Sequence, residues 1–329
     1  MTIDLAVIFK LYRPFLQAVQ CVLLDALAVL SCLLFADVAF ACEKRPGEAQ
    51  EVLIFPPKYK ALHPSEDYAF KVVQLALAES EEKYGPCVAR LLERELPVKR
   101  MELYLENDQN IHVVSLTVSH KRDKRFLPVR IPIAKGLIGF RMLLIREGEQ
   151  ARFTAVQGKS DLVAFTAGQG QDWVDTHILR KNGLPVVTTE NIPSLFEMLL
   201  HKRFDYFPRG ALQVTAEEQI FGDQPIVVEP TLALSYPSMT AIYVNKRNKK
   251  LAERLEYGLK RAYASGSFNR LFYSHPAIVE ALAQLDLKKR TIIQICNPYL
   301  PEWVPMDVDQ YWLQPWPPHL QASDCVAGH

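Results

Sequence analysis

Ser119 and Arg122, with Thr117 just upstream, are the residues whose types and spacing best suit chemistry, and that chemistry is anion capture. A guanidinium forks onto both oxygens of a carboxylate, and a hydroxyl three residues earlier can add a third hydrogen bond. The competing reading is a surface arginine paired with Asp123 or another acid. A second candidate is Gly168-Gln169-Gly170-x-x-Trp173, where exposed amides at a helix start could hold an anion and Trp173 could wall a cleft. A tight turn with Trp173 packed between elements explains the same residues equally well. The third candidate is Asp205-Tyr206-Phe207-Pro208-Arg209, which puts an acid, a phenol and a guanidinium near a strand end. Asp205 serves equally well there as a structural acid bonded to backbone. No G-x-S-x-G, H-E-x-x-H or P-loop pattern is present, and no Cys/His spacing suits a metal. The residues therefore suggest binding without catalysis, cofactor or metal.

The elements that must position these groups alternate between strand and helix. Strands are expected over Glu51–Phe55, Cys87–Arg94, Ile111–Leu116, Leu162–Phe165, Leu184–Thr188, Phe204–Phe207, Pro225–Leu234 and Thr240–Val244. Helices are expected from about Ser65 to Tyr84, Pro97 to Leu105, through Trp173 and Ile178, over Ile192–Leu200 and over Lys249–Ser265. The last shows Leu251, Leu255, Leu259 and Ala262 on one stripe. This alternation predicts an α/β protein with a largely parallel sheet. The Ser119–Arg122 stretch reads as a loop after a strand.

Bulk composition agrees with a folded protein that has a buried core. Of 329 residues, 49% are apolar and 23% charged, enough to build a core. With 38 basic and 37 acidic residues the formal net charge is +1, which gives no reason to expect a nucleic-acid surface, since that needs clustered positive charge. The clusters His120–Arg125 and Lys246–Lys250 read as solvated loops. Residues 1–41 read as an export signal: Lys10 and Arg13, an apolar run from Val22 to Phe35 broken by Asp25, then Ala39-Phe40-Ala41 as a cleavage site. Retention as an anchor, or lipidation of Cys42, are the alternatives. Cleavage would leave Cys42, Cys87, Cys296 and Cys325, which allow up to two disulfides in three pairings, or buried free thiols.

Four segments together resemble family 3 of the bacterial extracellular solute-binding proteins, the type 2 periplasmic-binding fold that includes polar amino-acid binders. Met101–Leu105 through Ser119-His120-Lys121-Arg122 is similar to the family's helix, strand and T-x-x-R carboxylate clamp. Ile131–Ile133 through Arg141–Ile145 resembles its lobe-crossing strand, and His201–Tyr206 its "G-R-x-D-A" strand. Leu251–Leu259 through Gly266–Phe272 resembles its closing helix and turn. The resemblance implies two α/β lobes joined by two crossovers, with a discontinuous first lobe: 42–146 plus 243–329, and 147–242 for the second. It also implies a periplasmic monomer that holds a small anionic or amino-acid-like solute for an ABC-type permease. A sensor or orphan receptor of the same fold is the alternative, and an enzyme on that fold a lesser one. One departure stands out: the family's ammonium-binding acid falls on Gly210 here, beside Arg209.

Overall fold

In the computed structural model, residues 42, 51–57, 64–214, 217 and 222–314 are described. The leader read over 1–41, the tail after Pro315 and Cys325 lie outside them.

The first lobe begins with β1 (Glu51–Phe55), whose apolar run is buried on both faces and pairs in parallel with β2 (Cys87–Leu91). His112 extends that sheet: its N–H donates to the Ile54 carbonyl and its Nδ1 accepts from the Ile54 N–H. The chain continues into β3 (Val113–Thr117), which pairs antiparallel with β10 (Thr240–Asn245); β10 pairs in turn with β4 (Phe126–Pro128). The sheet is therefore mixed where the alternation suggested a largely parallel one. Against it lie α1 (Pro64–Glu79), α2 (Val98–Glu106) and α6 (Lys249–Ala264). Gly258 lets α6 touch α1 at backbone distance, since a Cβ there would lie 1.9 Å from the Ala76 carbonyl oxygen. The helix expected to run on to Tyr84 is interrupted at Ser80, whose hydroxyl donates to Leu77 O and accepts from the buried Arg254. A short helix then covers Glu81–Tyr84.

The second sheet has the order β11-β9-β5-β8, made of β5 (Phe140–Arg146), β8 (Phe207–Gly210), β9 (Ile226–Ser235) and β11 (Thr291–Gln294). The parallel pair β6 (Ala167–Gly170) and β7 (Val186–Thr189) joins it through the bridge between Ala167 and Tyr206. Three further helices are α3 (His120–Arg125), α4 (Val174–Lys181) and α5 (Ile192–Leu200). After α6 come α7 (Ser267–Ser274) and α8 (Pro276–Leu285). Leu162, Tyr206, Leu143 and Ile293 share one apolar core, whereas Leu251, Leu255 and Leu259 belong to the other.

Two parts of the expected layout change. Leu162–Phe165 is not a strand: Lys159–Leu162 is a short helix, because Asp161 accepts hydrogen bonds from the N–H groups of Gln157 and Gly158 and caps its start. The division at 146 and 243 also cuts across the sheets, since β5 and β11 both pair within the second one. The two crossovers expected from the resemblance run side by side, and Tyr236 N donates to Gly139 O at 3.1 Å. Only glycine fits at 139, since a Cβ would sit 2.2 Å from the Tyr236 carbonyl oxygen.

Cys42 and Cys87 form a disulfide, and Cys296 is disulfide-bonded as well, which corrects the free-thiol alternative at Cys87 and Cys296.

Candidate functional site

On the first lobe, β3 ends at Thr117 and the chain turns at once into α3, not into an open loop. Ser119 supplies the turn: its extended backbone and its hydroxyl, which accepts from Arg122 N, make it the N-cap. This geometry brings Thr117, Ser119 and Arg122 together, but it turns the guanidinium onto the protein itself. Arg122 Nη1 donates to the Thr117 carbonyl at 2.6 Å, and Nε donates to Glu102 Oε1 on α2 at 3.1 Å. The other Glu102 oxygen accepts from Arg125 at 2.5 Å, and Arg125 also pairs with Glu106. Asp123 faces away from Arg122, accepting from Tyr243 Oη and from Trp303 Nε1. Burial pushes the Tyr243 phenol far above its ordinary range, so it stays a donor.

On the second lobe, Gly168 and Gly170 lie within β6 and do not open a helix as expected. A Cβ at Gly168 would strike the Phe204 ring at 2.2 Å, and one at Gly170 would strike Trp173 at 2.4 Å, so both glycines admit aromatic rings against the strand. The Gly170 carbonyl accepts from Trp173 N and from Thr176 Oγ1, which fixes the start of α4. Trp173 stacks on Phe207 with an interplanar angle of 13°, and the Arg209 guanidinium lies 4.7 Å from its ring centroid. Arg209 is 4% exposed and is gripped bidentately by Glu217, with Nε to Oε2 at 2.7 Å. Gly170, Trp173 and Arg209 thus form one cluster.

Asp205 and Tyr206 stand apart from it. Asp205 accepts from Thr166 N at 2.8 Å and from Arg152 at 2.9 Å, which is the structural reading of that acid. Tyr206 is fully buried against Phe153 in the core it shares with Leu143, Leu162 and Ile293, and its hydroxyl has no hydrogen-bond partner among the described residues.

Between these groups lies a set of residues that sequence reading did not single out. Arg141 on β5 and Tyr236 just after β9 both donate to Asp175 Oδ1 in the first turn of α4, the former at 2.5 Å. Asp172, ahead of α4, reaches Lys99 on α2 at 3.0 Å, so an exposed ion pair spans the two lobes. Nothing local announces these partners: Glu102 and Glu106 look like the wet face of a helix, and Glu217 like any exposed acid, until the fold brings the arginines to them.

No family model matches the sequence, and no curated protein matches it. Solved structures similar to it include a histidine kinase sensor domain with similarity to periplasmic binding proteins, at 13% identity over 70% of this chain and 98% of that one, TM-score 0.49. An ancestral arginine-binding protein bound to arginine follows at 14% identity, 68% and 97% coverage, TM-score 0.48. An amino acid ABC transporter substrate-binding protein from Streptococcus pneumoniae bound to L-arginine is 11% identical over 70% of this chain and 93% of its own, TM-score 0.48.

Proposed function

We propose that this protein binds a small polar solute, anionic or amino-acid-like, between its two lobes and performs no chemistry on it. The observation that carries this reading is that charged and aromatic side chains stand at the strand ends of both lobes, where one ion pair joins the lobes. Arg122 stands beyond β3, Trp173 and Arg209 stand beyond β6 and at the end of β8, and Lys99 meets Asp172 across the gap. Ligands of open α/β sheets lie beyond the carboxyl ends of the strands. The sequence resemblance to family 3 solute-binding proteins supports the same site and a partnership with an ABC-type permease. A sensor role is favoured by a different observation: both arginines are already paired with acids of the chain, and Gly210 stands where a typical amino-acid binder has its ammonium-binding acid.

Export to the periplasm with cleavage after Ala41 belongs to the same proposal. The Cys42–Cys87 disulfide suits an oxidising compartment. A Cys42 sulfur bonded to Cys87 has no valence left for a lipid thioether, so cleavage without lipidation fits better than a lipid anchor.

A thermal-shift screen of the mature protein, starting at Cys42, with neutral amino acids, acidic amino acids and dicarboxylates tests the reading. A ligand at a hundredfold its Kd stabilises by about 2.7 kcal/mol. Acidic ligands should raise the melting temperature, and Arg122→Ala should cost a few kcal/mol of binding, in the range of about 2–5 kcal/mol for losing one partner of a desolvated charge pair. The fold should survive the change, because Glu102 keeps Arg125. Stabilisation by a neutral amino acid that is insensitive to Arg122→Ala would refute the clamp.

A further inference from the structure

Beyond the two crossovers the chain passes between the lobes twice more. α8 packs on the first lobe through Ala277, Ile278, Ala281 and Leu285, yet β11 is hydrogen-bonded in parallel to β9 of the second sheet. Arg290 fastens that passage on both sides. Its Nε and Nη2 donate to the Leu285 and Gln284 carbonyls at the end of α8, and its Nη1 donates to the Leu232 and Glu229 carbonyls on β9. The chain then returns. Asn182, at the end of α4, exchanges two hydrogen bonds with the backbone of Cys296, and Asn297 donates to the Pro237 carbonyl on the second crossover. Farther on, Trp303 Nε1 donates to Asp123 Oδ2 at 2.7 Å, Arg130 lies over the Trp303 ring, and Val304 and Trp312 join the core that holds Leu251, Leu255 and Leu259.

We infer that residues 290–304 are a strap that bonds both lobes, limits how far they swing apart and thereby governs access to the site between them. Two crossover strands alone leave a hinge free to bend. Two added passages, each hydrogen-bonded at both ends, turn that hinge into a tethered joint, because opening must first break the attachments at Trp303 or Arg290. The strap also grips the two helices that carry the candidate site. Asp123 is on α3 beside Arg122, and Asn182 closes α4, which begins after Trp173. Its control of ligand access rests on the binding role proposed above; its restraint of the lobes does not.

The test is an inter-lobe distance measured by pulsed electron paramagnetic resonance on the mature, unliganded protein. Spin labels attached through p-acetylphenylalanine replace the exposed Leu103 on α2 and Val163 on the second lobe, which leaves the disulfides untouched. The unaltered strap should give one narrow distribution, whereas Trp303→Ala and Arg290→Met should each add a population at longer distance. Trp303→Phe, which keeps an aromatic ring but loses the indole N–H that bonds Asp123, carries the same comparison should the alanine variant fail to fold. Distributions that coincide in all folded variants would overturn the strap. A broadened Trp303→Ala distribution with a silent ligand screen would sink the binding role and leave the strap standing.

Discussion

At Arg122 and Arg209 a guanidinium that the sequence offers to a ligand is already met by a carboxylate of the chain itself, Glu102 in one case and Glu217 in the other. Either pair can still serve a ligand, but by competition and not by filling an empty charge. The network around Asp205 is different in kind. Arg146 is buried, donates to the carbonyls of Leu199 and Phe204, and pairs with Glu149, which Arg152 also holds. The Arg146 hydrogen bonds, aided by Arg152, pull the Glu149 carboxyl down to about 2, against an ordinary value near 4.5. A depressed carboxyl contributes stability that is fully present above its unfolded value and is lost as pH falls through its folded one. Denaturant titrations of wild type and Glu149→Gln should therefore differ by roughly 1–2 kcal/mol at pH 7, solvent screening allowed for, and converge towards pH 2. A gap unchanged down to that pH would show that the carboxylate charge is not the stabilising feature.

Among the elements, the α1–α6 contact shows how much one residue type can decide. Gly258 faces Ala76 with no room for a methyl, and the obstacle is backbone carbonyl, which cannot swing aside like a side chain. Gly258→Ala gains helix propensity but must force the helices apart, so a net loss of about 1–3 kcal/mol is expected in urea unfolding. A stabilised variant would mean that α6 slides freely on α1. The stripe Leu251, Leu255, Leu259 and Ala262 on α6 was legible from spacing alone, since an amphipathic helix needs nothing but its own periodicity. The run Leu162–Phe165 is ambiguous by pattern, because a short apolar stretch suits a buried strand and a buried helix turn alike, and the deciding cap comes from Asp161. For α3 the serine cap was present in the sequence, but the basic run after it looked like a solvated loop.

For the molecule as a whole, the Cys42–Cys87 disulfide ties the start of the described chain to β2 across a separation of 45 residues. Arg254 lies beside it, with Nη1 3.7 Å from Cys42 Sγ and Nη2 donating to Gly85 O, so α6, the α1 end and the disulfide form one corner. Closing a loop of that length is worth about 4 kcal/mol in the chain-entropy account. The double variant Cys42→Ser/Cys87→Ser should lose about that much in guanidinium unfolding, and a loss near zero would place the stability of that corner in Arg254 alone. The sequence by itself determined the α/β class, the existence and span of most strands and helices, and the candidate groups at their ends. These follow from periodicity and local turn chemistry, which act over a few residues. Only the tertiary structure decided that Arg122 meets Glu102, that Arg209 meets Glu217, and that β5 and β11 sit in the second sheet. Those pairings join residues that no local pattern links, and they are fixed by which faces the packed sheets bring together.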